Sequence, residues 1–262
     1  MIDLHTHILP GVDDGVKTMD DAVAFARVAA GDGVRTIVAT PHYRDGFYIN
    51  ARADVLEGVA ALNARLQAEQ VEISVLPGAE VHVSADIIER VKSGHAPTLA
   101  DNGRTVLFEL SMSQYPIDLE NLVFRMRLAG LQVLFAHPER IRYFQDDISR
   151  YEAVVRLGAY GQITTGSVTG TFGEDVVEFS EQLARKRLVH VVASDAHNIR
   201  GRPPVLSSSM DRLGSWMGEA FARRMADDIP RALLSGLEPD LPTPDEAPAR
   251  RRSIVSRLFG RG

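Results

Sequence analysis

The sequence predicts an α/β fold built around a parallel sheet, and two observations predict it. Short apolar runs rich in β-branched residues alternate along the chain with segments of helical apolar periodicity. The runs are apolar throughout, as is typical of parallel strands that helices cover on both faces. The chain has 262 residues, and α/β barrels of about 250 residues fold as one unit. We therefore expect one large α/β domain.

Seven apolar runs are candidate strands, and three of the segments between them carry helix signals. The runs are residues 1–4, 34–39, 71–76, 105–110, 131–136, 159–164 and 188–193. Thr18 is expected to cap the first helix, because Asp21 follows three residues later in a capping-box pattern. A second helix is expected from about Asn50, and Ser84 is the candidate cap of a third.

The composition excludes several classes of protein. Without cysteine, the chain cannot form disulfides, Cys-ligated zinc or iron–sulfur centres, or a thiolate nucleophile. The 29 basic and 35 acidic residues give a net charge of −6, which argues against a nucleic-acid binder. No run approaches the roughly 20 apolar residues of a membrane span. The opening MIDLHTH lacks the features of a signal peptide, so we expect a cytoplasmic protein.

Histidines and acidic residues stand where six of the seven predicted strands end. They are His5 and His7 after the first strand, His42 after the second, Glu80 after the third, Glu109 at the end of the fourth, His137 after the fifth, and Asp195 and His197 after the seventh. Asp14, in the loop GVDDG, is placed to reach the same face. In a barrel of parallel strands these ends all open on the face that carries active sites.

This pattern predicts a metal site with more than one ion. Imidazole and carboxylate suit Zn, Fe or Mn, and cations would neutralise the converging acids. A lone histidine at a strand end is more often structural, but so many at six strand ends are hard to place by accident. His82, His95 and His190 are interpreted as structural or surface groups.

Two arginines follow the candidate ligands closely, namely Arg140 in HPER and Arg202 in NIRGRP. The planar guanidinium matches phosphate oxygens, so these residues are candidates to bind a phosphate. The alternative is a surface arginine in a salt bridge. Arg44 and Arg200 have weaker claims to the same role.

The chain changes character after about residue 237. Residues 238–249 contain four prolines and four acidic residues, a composition typical of a linker. Residues 250–262 contain five arginines and a small apolar set. This tail is interpreted either as a disordered, solubilising segment or as a short interfacial helix that is attracted weakly to anionic lipid.

The motifs DLHTH, ATPH, AHPER and SDAH resemble those of the PHP (polymerase and histidinol phosphatase) superfamily. Within it, MIDLHTHILPGVDDG and SDAHN look like the CpsB/YwqE family of manganese-dependent bacterial protein-tyrosine phosphatases, which accompany capsular and extracellular polysaccharide operons. The resemblance covers about residues 1–237. It implies a distorted (β/α)7 TIM-like barrel, the PHP fold, with a three-metal site.

The resemblance also implies how the residues are used. One ion would take His5, His7, Glu80 and Asp195; a second would share Glu80 and add Glu109 and His137; a third would take Asp14, His42 and His197. Arg140 and Arg202 match the family arginines that hold the phosphate. The metal implied is Mn²⁺, although Fe, Co and Zn suit the same ligands. The segment YRDGFY after ATPH departs from relatives, which often continue with further histidines.

The implied reaction is hydrolysis of phosphotyrosine in the C-terminal tyrosine cluster of a membrane-associated bacterial tyrosine kinase. The first alternative is a small-molecule phosphoesterase of the same superfamily, acting on histidinol phosphate or a nucleotide. A nuclease or proofreading module is disfavoured by the acidic balance of the chain. A non-catalytic metal-binding partner of the polysaccharide machinery is disfavoured by the intact set of ligands.

Overall fold

The computed structural model describes residues 1–241, which form ten strands and eleven α-helices. The strands are β1 (Ile2–Thr6), β2 (Thr36–Ala39), β3 (His42–Arg44), β4 (Tyr48–Ile49), β5 (Ser74–Pro77), β6 (Glu80–His82), β7 (Thr105–Glu109), β8 (Gln132–Ala136), β9 (Tyr160–Thr164) and β10 (Val191–Ala193). The helices are α1 (Met19–Gly31), α2 (Arg52–Ala68), α3 (Ile87–Lys92), α4 (Leu119–Leu128), α5 (Arg142–Asp146), α6 (Ile148–Arg156), α7 (Thr165–Thr169), α8 (Glu174–Arg185), α9 (Ser207–Met217), α10 (Glu219–Ala226) and α11 (Asp228–Leu234). The mixed α/β prediction is confirmed.

The strands form two sheets. One has the order β1-β2-β5 and is parallel throughout. The other has the order β10-β9-β8-β7-β6-β3-β4 and is parallel except for the antiparallel pair β3 and β4. Every residue of β8 and β9 is buried, as expected of strands with helices on both faces.

The predicted strands at 34–39 and 71–76 correspond to β2 and β5, and each is followed after two residues by a further short strand, β3 or β6, that the sequence analysis did not predict. The chain continues from β2 into β3 across Thr40 and Pro41, and from β5, which ends at Pro77, into β6 across Gly78 and Ala79. Proline has no N–H to donate to a neighbouring strand, so a ladder is interrupted there. A Cβ atom on Gly78 would lie 2.8 Å from Val38, so this break also brings two chain segments unusually close.

The outer strands of the two sheets approach each other where β1 ends and β10 ends. Thr6 and Ala196 form an isolated parallel bridge. The Asp195 N–H donates to the carbonyl of His5 at 2.9 Å, and the His7 N–H donates to that of Ala196 at 2.9 Å. These bonds hold the segment that carries His5 and His7 against the segment that carries Asp195. The closed seven-stranded barrel implied by the resemblance remains a prediction.

The first helix begins as predicted, and the third does not. Thr18 caps α1 in a full capping box with Asp21. The N-cap of α3 is Asp86, which makes no side-chain cap bond, so the assignment of Ser84 as the cap is wrong. The predicted start of α2 at about Asn50 is close to the observed first residue, Arg52. The buried face of α2 consists of Val55, Val59, Leu62 and Leu66.

The apolar core consists of two clusters. The larger lies around β6 to β10, where Phe108 and Phe135 pack with ring centroids 5.9 Å apart and Tyr151 is fully buried. The smaller lies between α1, α2 and the three-stranded sheet and includes Phe25 and Leu62. Together they hold both sheets rigidly, so that the loops after the strands are presented on a fixed scaffold.

The last described residues lie against the domain. Glu238, in the predicted linker, pairs with Arg127 at 3.0 Å and accepts a hydrogen bond from Tyr160. The Gln132 side chain donates to the carbonyl of Leu237 at 2.9 Å. The rest of the predicted linker, and the arginine-rich tail at 250–262, lie outside the described residues.

Candidate metal centre

The structure brings all nine predicted metal ligands together. His5 lies in β1, His7 and Asp14 follow β1, His42 begins β3, Glu80 begins β6, Glu109 ends β7, His137 follows β8, and Asp195 and His197 follow β10. Each of the nine has a side-chain nitrogen or oxygen within 3.8 Å of one belonging to another of them. Most of these residues lie near or after the carboxyl end of a strand, whereas His42 and Glu80 follow β2 and β5 and stand at the first residue of β3 and β6.

The imidazoles of His5 and His7 face each other through their Nε2 atoms, which lie 3.3 Å apart. The Nδ1 atom of His5 is 2.9 Å from Oε1 of Gln162, and that of His7 is 2.7 Å from Oδ2 of Asp13. Both oxygens are acceptors, so each Nδ1 carries the proton. A neutral ring then presents its Nε2 lone pair inward, as metal-ligating histidines do.

Two buried carboxylates complete this group. Oε2 of Glu80 lies 3.3 Å from Nε2 of His5 and 3.5 Å from Nε2 of His7. Oδ1 of Asp195 lies 3.4 Å and 3.5 Å from the same two nitrogens. Only 1% of the Glu80 side chain and 2% of the Asp195 side chain are exposed. Carboxylates so deeply buried need a positive partner.

A second group forms at the more open side of the cluster. His7, Asp14, His42 and His197 each offer one donor atom within 4.8 Å of the others. Oδ1 of Asp14 lies 3.3 Å from Nε2 of His197 and 3.4 Å from Nε2 of His42. The Nδ1 atom of His197 is 3.0 Å from the carbonyl of Asp195, which turns its Nε2 toward Asp14. A cavity of about 340 Å³, lined in part by Asp14 and His197, opens here.

The cluster includes two buried polar atoms that no described residue satisfies. Oε2 of Glu109 and Nδ1 of His137 are buried without a hydrogen-bond partner within residues 1–241. Glu109 forms a group with His42 and Glu80 whose donor atoms could hold an ion. Nε2 of His137 is 2.9 Å from Oε1 of Glu80. An unsatisfied buried carboxylate oxygen is costly, and a divalent cation would satisfy it, so the donor set fits the predicted metals.

The geometric groups differ in detail from the three sets that the resemblance implies. The donor atoms place His7 with Asp14, His42 and His197 as well as with His5 and Glu80, and they place His42 with Glu80 and Glu109. Asp195 and His137 adjoin these groups without being members of one. The cluster is therefore continuous, and shared ligands connect its parts.

The carboxylates of the cluster shift the pKa values of the imidazoles that they surround. Burial disfavours the charged form of His5, yet the carboxylates of Glu80 and Asp195 raise its pKa overall. Burial acts in the same way on His42, and hydrogen bonds that its ring donates to the carboxylates of Asp14 and Glu80 raise its pKa to about 10. Burial and the nearby Glu80 charge raise the pKa of Glu109. The field at this point of the molecule therefore favours positive charge.

Two of the site residues have left-handed backbone conformations. His137 has φ +35° and Asp195 has φ +52°, a region that residues other than glycine adopt rarely. Each stands at the point where a buried strand ends and the chain turns across the cluster. Strain of this kind is concentrated at functional sites, where the surrounding fold enforces it.

Both predicted phosphate-binding arginines contact the cluster through one oxygen. Arg140 and Arg202 lie 2.7 Å and 2.5 Å from Oδ2 of Asp195. The Arg140 guanidinium also lies 4.4 Å from the ring centroid of Phe172. The two cations thus stand side by side at the edge of the cluster, where they can accept a dianion.

Sequence reasoning missed two residues that orient ligands of the cluster, and it also missed the buried Glu139 beside the cluster in the chain. Asp13 and Gln162 orient His7 and His5, as described above. Glu139 is buried between the chain positions of His137 and Arg140, and its Oε1 accepts from the Thr164 N–H at 3.0 Å. The sequence contained one signal for such a supporting residue. In GVDDG two aspartates are adjacent, so either could have been the ligand and the other its support.

The three histidines predicted to be structural lie outside the cluster. His190 is buried, and its Nδ1 accepts from the Gly161 N–H at 3.0 Å. His95 is exposed beside Ser93. The place of His82 two residues after Glu80 predicts a loop or helix start, but His82 is the last residue of β6 and is half-buried, so that prediction is wrong.

A family model described as capsular polysaccharide synthesis, CpsB/CapC, matches residues 1–235. The chain belongs to the CpsB/CapC family. The resemblance predicted from the motifs is thereby confirmed. The match covers the two sheets, all the candidate ligands and both arginines.

Named members of the CpsB/CapC family are tyrosine phosphatases. The tyrosine-protein phosphatase YwqE of Bacillus subtilis is 39% identical over 202 residues, 77% of this chain and 79% of the relative. The tyrosine-protein phosphatase CpsB of Streptococcus pneumoniae is 32% identical over 242 residues, 89% of this chain and 98% of the relative. The family is thus one of hydrolases.

A solved structure from the work on YwqE of B. subtilis and CpsB of S. pneumoniae, described as metal-dependent tyrosine phosphatases, matches with a TM-score of 0.87 and 34% identity. The match covers 92% of this chain and all of the other. The phosphotriesterase homology protein of Escherichia coli matches with a TM-score of 0.54 at 12% identity, over 88% of this chain and 97% of the other. The second likeness concerns the fold alone.

Within residues 1–241, no helix combines the length and apolarity needed to cross a membrane.

Proposed function

We propose that this chain is a metal-dependent phosphatase that hydrolyses phosphotyrosine on a protein. One observation carries the proposal: a buried cluster of imidazoles and carboxylates is bordered by two arginines that share one oxygen of Asp195. The names of the CpsB/CapC relatives support the choice of phosphotyrosine. Since the chain has no cysteine, a thiolate mechanism is excluded.

The proposed ligands are the nine residues of the cluster. One ion would be held by His5, His7, Glu80 and Asp195, a second by Glu80, Glu109 and His137, and a third by Asp14, His42 and His197. We propose Mn²⁺, with Fe, Co and Zn as the other metals that these ligands suit. When bound, such ions lower the pKa of a coordinated water and neutralise phosphoryl oxygens.

The protein's own groups position the phosphoryl group. Arg140 and Arg202 each have further N–H donors besides those directed at Asp195, and these donors can bind phosphoryl oxygens as planar forks. Asp195 and the Phe172 ring hold the Arg140 side chain in place before the substrate arrives. The arginines can therefore stabilise the charge that develops in the transition state without reorganising.

The leaving group of phosphotyrosine reduces the need for an acid. A phenol has a pKa of about 10, so phenolate leaves more readily than the alkoxide of a serine or sugar ester. Protonation of the leaving oxygen is therefore less critical. This suits a site in which histidines serve as ligands.

The proposed substrate is the C-terminal tyrosine cluster of a membrane-associated bacterial tyrosine kinase, and the proposed role is regulation of capsular or extracellular polysaccharide synthesis. The family description supports the connection to capsule synthesis. An extended kinase tail could present phosphotyrosine to the open side of the cluster without ordering much of the enzyme.

We also propose that the two sheets form one interrupted, distorted (β/α)7 barrel spanning residues 1–237. The continuation of β2 into β3 and of β5 into β6, and the bridge between Thr6 and Ala196, support this closure. Residues 238–262 would then be a linker and a basic tail. Vesicle pelleting with and without residues 250–262 tests the weak lipid contact, and equal pelleting would contradict it.

The decisive experiment measures phosphate release from a phosphotyrosine peptide, histidinol phosphate and a nucleotide monophosphate in parallel. The enzyme is first stripped of metal and then reloaded with Mn²⁺. We expect Mn²⁺-dependent release that is fastest from the peptide. Preferential release from either small molecule would replace the proposed substrate class, and an absence of release from all three would contradict the proposed activity.

A further inference from the structure

The strands that deliver ligands also deliver a second row of side chains next to the metal cluster. On β3 and β6, His42 pairs with Glu80. Arg44 and His82 each come two residues later on the same strands. Since strand residues two apart share a face, these side chains lie on the ligand side of the sheet. The pairing of His82 with Glu109 continues this row onto β7.

The second row borders a cavity of about 190 Å³. Its lining includes Tyr43, Arg44, Phe47, His82, Ser84 and Arg90. The cavity is therefore separated from the ligand row by one pleat of the sheet. Two strand residues span roughly 7 Å, so a peptide that places phosphotyrosine on the ions can reach it with an adjacent side chain.

Of the two arginines that line this cavity, Arg44 is the one whose guanidinium remains available among the described residues. Arg90 is bound by Asp45 at 2.6 Å and by Asp86 at 2.7 Å. Arg44 makes no ion pair with any residue in the described range 1–241, and its guanidinium lies 4.4 Å from the ring centroid of Phe47. Phe47 is itself 70% exposed. An exposed guanidinium on an exposed ring can bind a carboxylate at low cost of reorganisation.

The hairpin that carries Arg44 is fixed in place. The bidentate bond from Arg90 holds Asp45 at the turn between β3 and β4. At its base, the Asn50 side chain donates to the carbonyl of His42 at 2.8 Å. A fixed hairpin adjoining the site provides a preorganised contact surface.

We propose that Arg44, supported by Phe47, forms a subsite for an acidic side chain that lies one to three residues from the phosphotyrosine of a peptide substrate. The subsite selects substrates by their flanking sequence and takes no part in the chemistry. It gives a role to Arg44 and Phe47 of the segment YRDGFY, whose last residue, Tyr48, stacks on the His42 ring. This inference rests on the proposed phosphotyrosine activity.

The test combines Arg44→Ala with a change in the peptide. The three substrates are p-nitrophenyl phosphate, a phosphotyrosine peptide with one flanking Glu, and the same peptide with Gln instead. For Arg44→Ala we expect about a tenfold rise in KM for the Glu peptide, since one charge-assisted pair is lost. KM for the Gln peptide and for p-nitrophenyl phosphate should stay within about twofold, and kcat should be unchanged. Arg44→Lys should give an intermediate value.

Binding gives a second readout that needs no turnover. Fluorescence anisotropy measures the affinity for non-hydrolysable phosphonate versions of both peptides. Arg44→Ala should lose affinity for the Glu peptide by the same factor as its KM rises, and should keep its affinity for the Gln peptide. Arg35→Ala is the matched control, because Arg35 is exposed and precedes β2 at the opposite end of the strands. An equal loss on all substrates, a loss of bound metal, or no loss would overturn the subsite. Failure of the unmodified enzyme to hydrolyse either peptide would instead overturn the proposed function.

Discussion

The Nδ1 atom of His7 lies 2.7 Å from Oδ2 of Asp13, and both side chains are fully buried. Asp13 also accepts from the Gly15 N–H at 2.9 Å and from the His42 N–H at 3.2 Å. One carboxylate therefore orients a candidate ligand, fixes the loop that carries Asp14, and anchors the start of β3. Such supporting groups fix the tautomer and the orientation of the histidine ligands that they contact.

The first prediction concerns this support. Asp13→Asn keeps the shape of the side chain but removes the charge that fixes the proton on Nδ1 of His7. Metal affinity should fall about 10–100-fold, as measured by competition with a chelator. Asp20→Asn is the control, since Asp20 pairs with Arg65 on the surface. Equal metal affinity in the two variants would contradict the role of Asp13.

The second prediction concerns the close approach of the GVDDG loop to β1. A Cβ atom on Gly15 would lie 2.1 Å from the carbonyl oxygen of His7, so Gly15→Ala must displace the loop and Asp14 with it. Turnover should fall about 100-fold, because a misplacement of about 1 Å is enough for such a loss. Gly31→Ala is the control, since a Cβ there meets nothing within 4 Å. Circular dichroism shows whether the fold is retained, and full turnover by Gly15→Ala would contradict the prediction.

The third prediction separates phosphate binding from metal binding. Arg140→Ala should lower kcat/KM about 100-fold, a typical cost of removing one transition-state donor. Metal content, measured by elemental analysis, should stay intact because Arg202 still pairs with Asp195. Arg142→Ala removes the same charge from an exposed position two residues away and should have no effect. Full activity of Arg140→Ala would contradict the phosphate-binding role.

The fourth prediction concerns pH and stability. Burial lowers the pKa of His190 to about 4, below the usual value near 6.5, so the unfolded chain binds this proton more tightly. The stability that His190 contributes should fall as pH falls from about 6.5 to 4, and this contribution should change no further below that range. The His190 contribution between pH 7 and pH 5 should be about 2 kcal/mol.

Urea unfolding of the unmodified protein and of His190→Gln at both pH values measures this contribution. The glutamine variant can still accept from the Gly161 N–H but does not titrate, so its pH dependence should be smaller. His95→Gln changes an exposed histidine and serves as the control. An unchanged pH dependence in His190→Gln would contradict the assignment.

Local signals explain why much of the fold was predictable. The capping box joins Thr18 and Asp21, which are three residues apart, so both partners of the interaction are visible in a short stretch of sequence. The strand β6 was not predicted, because it has only three residues and depends on pairing with β3 and β7. The close approach of Gly78 to Val38, just before β6, is likewise a contact between segments distant in sequence.

The residues of the candidate metal cluster could be predicted from the sequence alone, because ligand chemistry depends on residue type and buried strands are recognisable as apolar runs. Their partners were decided by the tertiary structure. Gln162 orients His5 from 157 residues away, and Arg140 and Arg202 meet on one oxygen of Asp195. Such pairings depend on strand register and on backbone approach between distant segments, which periodicity and composition do not specify.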